Sequence, residues 1–197
     1  MGAMSWILLA TGLLVLFWAV GAYNRLVRLR NAIANAFGQI DVQLKRRYDL
    51  IPNLVEVARK YLAHEAQTLE AVIAARNQAH KAEQSAAGSP LNAGAIGALA
   101  GAEQVLGGAL GRLFAVAEAY PDLKADQTMR ELSEELSSTE NRIAFARQAY
   151  NDHALEFNDA AQQFPTLIVA RLFNFQPQAM LEATSSEAER APVKVSF

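Results

Sequence analysis

Three consecutive cations, Lys45, Arg46 and Arg47, stand between Asp41 and Asp49 in the stretch IDVQLKRRYDLIPNLV (40–55). Such a cluster could grip a phosphate, a lipid surface or an acidic partner. It could also simply end a helix, where cations meet the exposed carbonyl groups of the last turn. The other chemistry-bearing residues are few. The chain has three histidines and no cysteine, which excludes disulfides, thiolate catalysis and acylation at cysteine. Di-iron bundles place a glutamate three residues before a histidine, but those positions hold Tyr61, Asn77 and Tyr150. His64-Glu65 lacks the second histidine of a zinc-protease helix. There is neither a phosphate loop ending in Gly-Lys nor a Gly-x-Ser-x-Gly elbow. His153 falls on an apolar seam between Tyr150 and Phe157 and reads as a core histidine. These residues give no catalytic set, no metal ligands and no cofactor, and the expected class is non-enzymatic.

The elements that must position these residues are helical. Leu26, Leu29, Ile33, Phe37, Ile40 and Leu44 recur at three- and four-residue steps, one buried stripe. A second stripe runs through Ile51, Val55, Ala58, Leu62, Glu65, Leu69 and Val72. A third runs through Leu99, Leu106, Leu110, Leu113, Ala117 and Tyr120. The fourth, from Met129 through Leu136, Ile143 and Tyr150 to Phe157, keeps coiled-coil heptad spacing. No stretch alternates like a strand. Four stripes predict an all-α fold, an antiparallel four-helix bundle of long helices over 25–175. Gly88-Ser89-Pro90 and Tyr120-Pro121-Asp122 mark its corners. TLIVARLF (166–173) reads as a buried cap helix, and 176–197 as an extended tail ending in VKVSF.

In this scheme the cation cluster is the first corner. Lys45–Arg47 close one helix, Asp49 caps the next, and Pro52 falls in its first turn, where no N–H is needed. The corner would lie about 35 Å from Tyr23, far beyond a Debye length of about 8 Å. Lys45, Arg46, Arg47 and Asp49 are therefore candidates for docking a protein partner rather than lipid.

Residues 1–24 carry no charged side chain, and 52% of the chain is hydrophobic. The apolar run approaches the roughly 20 residues that cross a bilayer. Trp6, Trp18 and Tyr23 stand near its ends, and Leu9, Leu13 and Leu16 lie within it. It reads as a membrane anchor that continues into the bundle. A cleaved signal peptide is the competing reading, since Val20 and Ala22 imitate a cleavage site, but no positive charge precedes the run. Arg25, Arg28 and Arg30 flank the anchor. By the positive-inside rule they place the N-terminus outside and the bundle in the cytoplasm. A net charge of −2 gives no basic footprint for nucleic acid.

Two further features need partners. Glu65 occupies an apolar register position, and a buried carboxylate must pair or take up a proton. The expectation is an ion pair with Arg142 or Arg147, unless a small helix rotation leaves Glu65 in water. If Glu65, Arg147 and Tyr150 converged on a cavity, a bundle that senses a small ligand would be the rival function. Gly97 and Gly101, like Gly107 and Gly111, are four apart, a spacing that admits close helix packing. That stretch reads as a loop leading into a packed helix, as a self-association surface, or as a membrane contact.

Several segments together resemble one family. YNRLVRLRNAI (23–33), IDVQLKRRYDLIPNLV (40–55), AYPDLKAD (119–126), ELSSTENRIAFARQAYND (135–152) and FNDAAQQFPTLIVARLFNF (157–175) are similar, in order, to the LemA family. The C-terminal proline, valines and phenylalanine agree, and only the Gly/Ala stretch departs. The resemblance implies a bacterial inner-membrane protein with one N-terminal span, a cytoplasmic helical bundle, membrane-protein partners and no enzymatic activity. The expected role is a homo-oligomeric scaffold.

Overall fold

The computed structural model describes residues 2–181, which form six helices and no strand. Helix α1 (Ala3–Arg59) is followed by α2 (Ala66–Gly88), α3 (Ala93–Ala117), α4 (Pro121–Ala125), α5 (Gln127–Gln162) and α6 (Thr166–Leu172). The segment VKVSF lies outside the described residues.

The expected corner at Lys45–Arg47 is not there. Helix α1 runs through the cluster, through Asp49 and through Pro52 without a break. A proline inside a helix removes one backbone hydrogen bond and leaves the carbonyl four residues earlier without its donor. That carbonyl belongs to Tyr48, and the Arg76 guanidinium on α2 donates Nε–H to it at 3.0 Å. A side chain from a neighbouring helix thus replaces the missing amide. The stripe agrees with continuity: Leu26, Ile33, Phe37, Ile40, Leu44, Tyr48, Ile51, Val55, Ala58 and Leu62 are all buried. Leu44 and Ile51 are seven residues apart, two helical turns, so the first stripe and the start of the second are one.

The chain reverses instead at 60–65. Lys60 bonds back to Val57, and Leu62 N–H reaches the Ala58 carbonyl at 2.9 Å. The Tyr61 hydroxyl donates to Asp126 at 3.0 Å, and Asp126 also caps α5 by accepting from Met129 N–H. The far turn is therefore tied to the start of α5. Asn92 caps α3 in the same manner.

Helix α1 is central. It packs against α5 on one side and α2 on another, and α3 packs on α2. Leu69, Val72 and Ala79 of α2, Leu99, Leu106 and Leu113 of α3, and Leu136, Ile143 and Phe157 of α5 fill the core. After α6 the chain passes through Asn174 at positive φ, a conformation asparagine tolerates at helix ends. It then runs extended along α5. Asn158 and Asn151, two helical turns apart, each bond both backbone groups of one residue of this strap, Gln178 and Leu181 respectively.

Candidate functional site

The cation cluster is a hub within the bundle rather than a tip. Successive residues of an α-helix point about 100° apart, so Lys45, Arg46, Arg47 and Tyr48 fan around α1 and meet different neighbours. Lys45 bonds Asp41 one turn back at 2.7 Å and approaches Glu83 of α2 at 3.7 Å. Arg46 reaches Glu135 of α5 at 2.5 Å. Arg47, buried, holds Glu103 of α3 with one nitrogen and Glu140 of α5 at 2.7 Å with another. The Tyr48 hydroxyl donates to Glu103 at 2.5 Å. Asp49, the remaining residue of the expected docking tip, is exposed and caps nothing.

Electrostatics follow from burial and pairing. Burial alone would lower the Arg47 pKa, but Glu103 and Glu140 outweigh it and hold it above the usual value. Burial, with Glu103 adding to it, pushes the Tyr48 phenol up. On the α2 side, Glu83 is fully buried. Burial and then the neighbouring Asp41 carboxyl push its pKa up to about 7. Burial also acts on Asp41, but Glu83 and Lys45 beside it prevail and lower its pKa. His80 Nδ1 lies 3.3 Å from Glu83, while Gln84 faces the other ring nitrogen at 3.1 Å.

Beside the hub lies a groove of about 1030 Å³ between α3 and α5, floored by α1. Ile40, Leu44 and Arg47 form the floor, Ser137 and Arg147 stand on the α5 wall, and Leu181 closes one side. Gly97, Gly101, Gly107 and Gly111 line the α3 wall. A Cβ placed at any of the four would meet nothing within 4 Å. They are exposed, so they do not serve packing within this chain. Helix α3 itself is held in the bundle by Leu99, Leu106, Leu110 and Leu113 and by Glu103 on Arg47.

Two expected juxtapositions do not form. Glu65 is the half-buried N-cap residue of α2 in the far turn, because α1 ends at Arg59 and the apolar register does not carry across the turn. Among the described residues it makes no ion pair with Arg142, which is exposed, or with Arg147. Glu65, Arg147 and Tyr150 do not converge either: the Tyr150 hydroxyl donates to the Ala179 carbonyl of the strap. Among the described residues the covered carboxylates are instead Glu83, fully buried, and Glu103, half-buried against Arg47. Signals for both were present. Glu83 falls in phase with the buried positions Leu69, Val72, Ala79 and Ala86, and Glu103 is the lone charged residue between Glu83 and Arg112.

The anchor residues Trp6, Leu9, Leu13, Leu16, Trp18 and Tyr23 are exposed along the first part of α1, and Arg25, Arg28 and Arg30 follow, also exposed. By length and composition this segment is a candidate membrane span.

The chain is similar in sequence to several curated proteins. The magnetosome protein MamQ of Magnetospirillum gryphiswaldense is 28% identical over 169 residues, covering 78% of this chain and 62% of MamQ. MamQ 1 of Paramagnetospirillum magneticum matches to the same extent. The chain therefore spans less than two thirds of the length of these magnetosome relatives. Protein LemA of Metamycoplasma hominis is 31% identical over 180 residues, 91% of this chain and 77% of that protein. The LemA family model matches residues 36–197, and with that match running from the middle of α1 to Phe197, this chain belongs to the LemA family.

Proposed function

We propose that the protein is a non-enzymatic, membrane-anchored helical scaffold that self-associates through the α3 wall of the groove. Family membership and the exposed apolar start of α1 support a membrane-associated helical protein. The membrane in this reading is the bacterial inner membrane, and Arg25, Arg28 and Arg30 support an N-terminus outside and a bundle in the cytoplasm by the positive-inside rule. The observation that carries the scaffold reading is the pair of small-residue steps, Gly97/Gly101 and Gly107/Gly111, facing an open groove. At these four glycines the wall carries no side chain, which lets a second helix come within backbone contact. The best occupant is α3 of a second copy, because α3 is itself nearly uncharged and the groove floor is neutralised internally by Arg47 between two glutamates. Organisation or recruitment of membrane proteins would build on this assembly.

The test is crosslinking in native membranes. A cysteine at Gly101 should yield a covalent dimer under mild oxidation, and Gly101→Leu with Gly111→Leu should reduce assembly size. Failure of G101C to crosslink, together with a monomeric mass at all concentrations, would refute self-association.

A further inference from the structure

Helix α6 has the wrong surface for water. A helix on the outside of a bundle normally turns polar residues outward, and one that is apolar all round is buried in protein or lipid. Helix α6 (TLIVARL) buries Val169 and Ala170 against the bundle. The opposite side carries Ile168, 57% exposed, and Leu172, 76% exposed, with Phe164 at 82% just before the helix and Phe173 at 54% just after. Ile168 and Leu172 are four residues apart and share one face of the helix, and Phe164 precedes it in the turn. Only Thr166 and Arg171 are polar.

Its position supplies the partner. The Phe173 ring packs on Tyr23 with centroids 4.8 Å apart, and Phe175 meets the same ring at 5.7 Å. Tyr23 is where the uncharged segment of α1 ends, directly before Arg25 and Arg28. One end of α6 therefore stands level with the end of the anchor. Arg171 on α6 and Arg25 and Arg28 on α1 are exposed at the same level, where guanidinium groups reach lipid phosphates.

We infer that the outward face of α6, formed by Phe164, Ile168, Leu172 and Phe173, lies in the headgroup–acyl boundary of the bilayer that holds α1. This rests on the reading of the start of α1 as a membrane span. Aromatic and aliphatic side chains over a basic rim are the composition of helices that lie in this boundary. The contact gives the anchor a second foot, which fixes which side of the bundle faces lipid.

The native chain has no cysteine, so single-cysteine spin labels are clean probes. I168C, L172C, F145C and L13C, each in the full chain, are reconstituted into phosphatidylcholine–phosphatidylglycerol vesicles. Collisions with oxygen, which concentrates in lipid, are compared with those of a water-soluble nickel chelate. The expected oxygen-to-nickel ratio at Ile168 and Leu172 is several-fold above that at Phe145, an exposed aromatic on α5. Water-like ratios at both positions with a lipid-like ratio at Leu13 would overturn the inference and leave the anchor standing. Shielding from both reagents would also overturn it, by showing protein over the face. A water-like ratio at Leu13 would defeat the anchor and this inference together.

Discussion

The replacement of a backbone amide by Arg76 gives a quantitative expectation. In the native chain Pro52 cannot donate to the Tyr48 carbonyl, and Arg76 Nε does so at 3.0 Å. Arg76→Ala leaves a carbonyl inside the bundle with no donor. A hydrogen bond from a charged group contributes about 1.5–3 kcal/mol, and because Arg76 is only half-buried the lower end, about 1.5–2 kcal/mol, is expected. In a Pro52→Ala background, residue 52 regains an N–H that can close the helical bond to Tyr48. Arg76→Ala should then cost under about 0.5 kcal/mol, so a double-mutant cycle should show a coupling of at least about 1 kcal/mol. Urea unfolding of the four proteins in one detergent, followed by helical circular dichroism, measures it. Equal costs of Arg76→Ala in both backgrounds would refute the account of how α1 passes through Pro52.

Other expectations concern the polar interior. Glu83 has a folded pKa of about 7 against an ordinary carboxylate value near 4.5, so it stabilises the fold in its protonated form. That contribution is complete below about pH 4.5 and fades as pH rises through 7. Glu83→Gln, a permanent stand-in for the protonated acid, should therefore raise the melting temperature at pH 8 and leave it nearly unchanged at pH 5; an equal shift at both would contradict the raised pKa of Glu83. Asn151→Ala and Asn158→Ala should release the strap locally. Faster amide exchange at Leu181 in the first and at Gln178 in the second, with α5 amides unchanged, is the expected signature, and unchanged exchange would refute the clamp.

Much of the architecture is legible in residue spacing. The stripes of α3 and α5 are buried where their periodicity puts them, and the all-helical class follows from them. The misplaced first corner shows the limit. Lys45–Arg47, Asp49 and Pro52 each favour a helix end, and local rules can only add such preferences. What keeps the helix running is a donor twenty-four residues away on α2, which no local rule contains. The candidate site suffered from that error. Once the turn moves to 60–65, Glu65 leaves the buried register. Glu83 and Glu103 enter it, in runs whose alanine and glutamine neighbours look solvated. The partners of Arg47 become readable only when α1, α3 and α5 are known to meet.

The unbroken course of α1 has a mechanical consequence. From Tyr23 to the reversal after Arg59 it covers about 36 residues, some 55 Å at 1.5 Å each. No hinge, glycine break or loop separates the portion beside lipid from the portion clamped by four neighbours. A tilt of about 10° at the near end would swing the far end by roughly 10 Å over that length. If that segment spans a bilayer, a lean imposed on it there would carry, without any refolding, to the turn where Tyr61 grips Asp126.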